Sequence, residues 1–167
     1  MVYRPREDSR LLKQAVTSLD LEDKKFLDMG TGTGYIAEAA LEQGADVTAV
    51  DIDSEAVEQA RQRIGSRANV CQSNLFTDVE GTFDVIAFNP PYLPEAPGGS
   101  VATVSGANGA QVSRRFLEQY PDYLKSGGRS ILVTSSRNSL DLDGAQVLGS
   151  SSLWFEQLKV VDVEDGF

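Results

Sequence analysis

The chain has 167 residues, 41% hydrophobic and 24% charged, with a formal charge of −10. That length fits one domain over residues 1–167 with a real core, and the acidic balance opposes capture of phosphate backbones, so nucleic acid is a disfavoured partner. One cysteine, Cys71, excludes an internal disulfide, and the lack of histidine removes the commonest metal ligand and the usual neutral-pH base, so no metal is expected. No apolar run reaches membrane-spanning length, which points to a cytoplasmic protein.

Residues 9–19 carry Leu11, Leu12, Ala15, Val16 and Leu19 at helical spacing, with Ser9 as the candidate N-cap. Residues 25–29 read as a buried strand that feeds Gly30-Thr31-Gly32-Thr33-Gly34 and then a helix over 35–43. A second strand, 46–51, ends in Asp51, and a helix over 54–64 follows with Ser54 as its expected cap. The third strand, 68–72, runs from Ala68 through Val70 to Gln72, and the fourth, 83–88, is apolar enough to be central in a sheet covered on both faces.

The glycine-, alanine- and serine-rich stretch 94–109 reads as a loop, after which a helix is predicted over 110–124 and a strand over 129–135, behind Gly127 and Gly128. Residues 137–143 leave little room for a further crossover helix, which is expected to be short or absent. Two last strands, 145–148 and 154–163, are expected to pair antiparallel through 149–152, with Trp154 and Phe155 in the core. Strands alternating with helices in this way predict an α/β fold, a doubly wound, seven-stranded, mostly parallel sheet.

Glycines at every second position of a strand-to-helix turn let the backbone approach a ligand closely. The spacing Gly30, Gly32, Gly34 does not match the dinucleotide pattern G-x-G-x-x-G; with Asp28 two positions ahead it resembles the loop of methyltransferases that use S-adenosyl-L-methionine. An acid suits the ammonium group of that cofactor. Asp51 closes the second strand where a carboxylate can accept from both ribose hydroxyls, and Asn74 after the third strand is placed for the adenine amino group, with Leu75 over the ring. Cys71 reads as a packing residue, with no histidine to activate it.

Asn89-Pro90-Pro91-Tyr92 starts where the fourth strand leaves the sheet, at the end where open α/β folds bind ligands. Two prolines stiffen the backbone and donate no N–H, which frees the Pro90 carbonyl to point into a pocket. The Asn89 side-chain oxygen and that carbonyl supply two acceptors for the two donors of an NH2 group, and Tyr92 offers a face for stacking. Positioning and electrostatics then replace a base in methyl transfer to a planar nitrogen. The tetrapeptide alone suits a glutamine amide or an adenine amine equally.

With both motifs placed, the chain resembles the HemK-type glutamine methyltransferases, in the small archaeal and eukaryotic branch that lacks the bacterial N-terminal helical domain. Tyr3-Arg4-Pro5-Arg6-Glu7-Asp8-Ser9 is similar to that branch's Y-x-P-x-E-D-[ST] signature, and the resemblance implies that Ser9 touches the cofactor. Asp28, Gly30, Asp51, Asn74, Leu75 and Asn89 match its cofactor and substrate positions, with Asn74 standing where Asp is common. The resemblance implies a class I S-adenosylmethionine-dependent fold and methylation of the glutamine in the Gly-Gly-Gln motif of the class I translation termination factor. It also implies a small zinc-binding activator as partner, for which the sheet edge at Ala68 to Gln72 is the expected seam. The rival reading is an adenine-N6 methyltransferase acting on RNA or DNA; the acidic charge and the lack of a basic recognition module favour the protein substrate.

Overall fold

The computed structural model describes residues 6–91, 105–136, 140, 142–154 and 156–163. Helix α1 (Glu7–Thr17) starts ahead of Ser9, with Arg6 at the N-cap position and no side-chain cap. Glu7 and Asp8 place two acids in its first turn, where they favour the positive end of the helix dipole, and this replaces the cap expected from Ser9. Its buried stripe is Leu11, Leu12, Ala15 and Val16.

Next come β1 (Lys25–Met29), α2 (Tyr35–Glu42), β2 (Asp46–Asp51) and α3 (Ser54–Ile64). The cap of α3 is Asp53, not Ser54: Asp53 is still extended, and its carboxylate accepts from the Glu55 N–H at 2.8 Å. Strands β3 (Asn69–Gln72) and β4 (Phe83–Phe88) follow with no α-helix between them. Helix α4 (Ser105–Gln119) is displaced towards the N-terminus of the predicted range. It gives way to a short 3-10 turn over Tyr120–Tyr123, where Pro121 cannot donate the bond an α-helix needs.

Strand β5 (Leu124–Ser135) starts well before Arg129, because Leu124 already pairs with Phe83; Gly127 and Gly128 fall inside the strand at an irregularity of register. The last hairpin is also longer than expected. β6 (Gln146–Leu153) and β7 (Glu156–Val163) pair up to Leu153 opposite Glu156, so Gly149 to Ser152 lie within β6 and the reversal follows Leu153. Trp154 is therefore fully exposed at the hairpin end, a correction to its predicted place in the core; Phe155 lies outside the described residues.

The sheet has seven strands in the order β3-β2-β1-β4-β5-β7-β6. The first five run parallel and β7 is antiparallel to both its neighbours, as the mostly parallel reading predicted. Alternate residues of the strands face opposite ways. Phe26, Val47, Val85, Ile131 and Val160 pack under α1, α2 and α3, whereas Leu27, Val50, Ile86, Leu132 and Val161 pack with Phe116 of α4 and Tyr120 of the 3-10 turn after it. Among the described residues no helix joins β5 to β6. Where one would sit, a hollow of about 240 Å³ is lined by Thr134, Leu142, Ala145, Val147 and Lys159.

Candidate active site

The carboxyl ends of β1, β2 and β4 meet at one rim of the sheet. Gly30, Gly32 and Gly34 all have positive φ, at 65°, 55° and 80°. A Cβ on Gly30 would come within 3.2 Å of the Phe88 ring and 3.9 Å of the Asn89 carbonyl oxygen, so the glycine loop abuts the start of the tetrapeptide. Gly34 has a different reason to be glycine. Its Cβ would strike Ile64 Cδ1 at 2.9 Å and Ala60 Cα at 3.3 Å, so its bareness seats α2 against α3.

Asp51 braces this loop. One carboxylate oxygen accepts from the Gly32 N–H at 2.8 Å, the other from the Asp53 N–H at 3.0 Å, and Thr31 N–H donates to the Val50 carbonyl at 2.9 Å. Asp28 sits deeper. Its Oδ2 accepts from Thr31 Oγ1 at 2.7 Å and from the Ala37 N–H at 3.0 Å, which satisfies a free amide in the first turn of α2 where Gly34 has no side chain to offer. Burial pushes the Asp28 carboxyl up to about 7; the Thr31 and Ala37 hydrogen bonds oppose this, and the charge of Asp51 adds to it.

Asn74 is exposed after β3 and accepts from Arg115 Nη2 at 3.4 Å. Leu75 has φ 51°, and its side chain is buried with Phe76 and Phe116 in the core under α4, leaving little of it open to a ring. An aliphatic group does stand open beside Asp51: Ile52, 63% exposed. Sequence reasoning passed over it, although an apolar residue between two aspartates at a strand end is itself a signal.

Asn89 leaves β4 half-buried, with Pro90 buried and Pro91 exposed; Tyr92 lies outside the described residues. Asn89 Nδ2 donates to Asp8 Oδ2 at 3.1 Å and lies 3.5 Å from Ser9 Oγ. Its Oδ1 is buried without a hydrogen-bond partner. Ser9 therefore reaches the site from inside the first turn of α1 and brings Asp8 with it, a residue that motif reading left without a role.

The fold and this rim define a class I methyltransferase: a bare, positive-φ loop between two carboxylates, with an amide acceptor at the end of β4, the strand paired with β1. Residues 6–167 match the family model described as methyltransferase small domain. A chain of Methanocaldococcus jannaschii, assigned by inference as a protein N5-glutamine methyltransferase, is 38% identical over 145 residues, covering 81% of this chain and 73% of its own length. The release factor glutamine methyltransferase of Deinococcus radiodurans is 33% identical over 156 residues, which cover 83% of this chain and 55% of that protein. The present chain thus spans about half the length of that bacterial relative. Among solved structures, the E. cuniculi Mtq2-Trm112 complex, described as responsible for methylation of the eRF1 termination factor, superposes with a TM-score of 0.74 at 26% identity over 99% of both chains. The chain belongs to the methyltransferase small domain family, and within it to the HemK-type N5-glutamine methyltransferases, S-adenosylmethionine-dependent enzymes.

Proposed function

We propose that this enzyme methylates the side-chain amide of the glutamine in the Gly-Gly-Gln motif of a class I translation termination factor in the cytoplasm, as the catalytic subunit of a heterodimer with a small zinc-binding activator. The observation that carries the reading is the buried, unpartnered Asn89 Oδ1 at the end of β4. A buried acceptor without a partner is costly, and a substrate N–H is the group that would complete it.

S-adenosylmethionine supplies an electrophilic methyl group carried on a sulfonium. The glycine cradle fits it: Gly30 and Gly32 would admit its backbone-facing side, Asp51 the ribose hydroxyls, Asp28 and Ser9 the methionine end, Asn74 and the edge of Leu75 the base, with Gly34 holding the loop's exit. Asn89 Oδ1 and the Pro90 carbonyl accept the two N–H groups of the amide, and the exposed Pro91 borders the place where that amide would sit. Held this way, the nitrogen keeps its face towards the methyl group, and both acceptors favour the positive charge that grows on it.

The activator reading rests on β3 being an edge strand and on the likeness to a chain solved in complex with Trm112. Among the described residues no helix is long and apolar enough to cross a membrane. The test is methyl transfer from radiolabelled cofactor to purified termination factor, to its Gly-Gly-Gln→Gly-Gly-Ala variant and to bulk RNA, with and without activator. Label is expected on the wild-type factor alone and is lost in Asn89→Ala; equal label on the variant, or label on RNA, overturns the assignment.

A further inference from the structure

Asp8 and Asn89 lie 81 positions apart in sequence and meet at the catalytic rim. Asp8 is 4% exposed. Both its oxygens act as acceptors: Oδ1 takes the Ser9 N–H at 2.7 Å, and Oδ2 takes Asn89 Nδ2 at 3.1 Å. A carboxylate has no proton to donate, so it can only face the NH2 end of an amide. Asn89 has two orientations related by a half-turn of its amide, and Asp8 selects between them. In the selected one, Oδ1 points away from Asp8 and is the buried atom without a partner; in the other, an NH2 group would face the substrate's NH2, donor against donor.

We infer that Asp8 is the positioning residue that locks the Asn89 amide with its oxygen towards the substrate nitrogen. This rests on Asn89 being the acceptor in the reaction proposed above, and holds for any substrate NH2. The carboxylate also polarises the amide it grips, which strengthens Oδ1 as an acceptor for a nitrogen becoming positive. Its own register is set by the helix: Asp8 stands in the first turn of α1, and the Ser9 amide that holds Oδ1 belongs to the same turn. Sequence offered the clue only as an acid beside Ser9.

The full chain, with activator where activity requires it, is compared as wild type, Asp8→Asn and Asp8→Ala. Asp8→Asn keeps size and shape but can present its own NH2, so the lock on Asn89 is lost. The expected result is a fall in kcat of about 10- to 100-fold in both variants, with KM for the substrate and Kd for the cofactor within about threefold of wild type. An unchanged kcat in Asp8→Asn, or a loss that tracks weaker cofactor binding and a lower Tm, overturns the inference and leaves Asp8 as a mere tie between α1 and β4. Should the variants fail to fold, nitrogen-15 NMR of the wild-type chain decides. The Asn89 side-chain amide is expected to show one proton shifted downfield and protected from exchange, and a solvent-like pair overturns the lock. If wild type labels no glutamine, the functional proposal fails, while the NMR measurement still judges Asp8.

Discussion

Among single residues, Asp28 carries the largest electrostatic consequence. Its carboxyl titrates near 7 in the folded chain, against about 4 for an unperturbed aspartate. An acid with a raised folded value binds more protons folded than unfolded, so between those limits this group makes stability fall as pH rises. Asp28→Asn retains an oxygen for Thr31 and Ala37 and removes the titration. Without cofactor, the variant is expected to gain on wild type from pH 5 to 8, with a slope approaching about 1.4 kcal/mol per pH unit inside the window; urea unfolding at a series of pH values measures it. Parallel stability profiles for the two chains would show that Asp28 is not buried as described. Asp28, the glycines, Asp51 and Asn89 were legible in the sequence because each belongs to a short, spaced motif at a strand end. Asp8 was not, because its significance arises only when distant segments are brought together; Ile52 carried a signal in its place between two aspartates, but its exposure is what gives that signal weight.

At the level of elements, strands were easier to read than the ends of helices. Buried parallel strands are continuous apolar runs, and 25–29, 46–51 and 83–88 match β1, β2 and β4. Caps depend on one residue's backbone, which is why α3 is capped by Asp53 and not by its neighbour Ser54. The hairpin reversal was misplaced because Gly149 to Ser152 look like a turn, yet they pair with Gln157 to Val160 as strand. Packing between elements also distinguishes two glycines of similar backbone. Gly34→Ala meets both left-handed strain and the Ile64 and Ala60 contacts, whereas a Cβ on Gly127 has nothing within 4 Å. Gly34→Ala is expected to cost roughly 2–4 kcal/mol and Gly127→Ala about 1 kcal/mol in denaturant unfolding. Ile64→Val should recover part of the first loss and none of the second. Equal losses would contradict the helix contact.

For the molecule as a whole, the doubly wound architecture followed from the alternation of strands and helices, but the thin second face did not. Among the described residues α4 is the one α-helix that packs there, beside turns carrying Phe76 and Tyr120, and the hollow over β5, β7 and β6 stays lined by Leu142, Val147 and Lys159. At the opposite edge, the Val70 carbonyl of β3 accepts from Arg61 Nε at 3.2 Å and Nη2 at 3.0 Å, so the strand proposed for the activator is capped by its own neighbouring helix. Arg61→Ala should uncover it, raising self-association of the isolated chain in light scattering and speeding association with the activator. Unchanged values for both would move the seam elsewhere. Because Arg61 already satisfies that carbonyl, an incoming strand exchanges one hydrogen bond there for another and gains nothing in number. The stability of such a complex must then come from desolvated apolar area, so its heat-capacity change, more than its enthalpy, would report how well the partner fits.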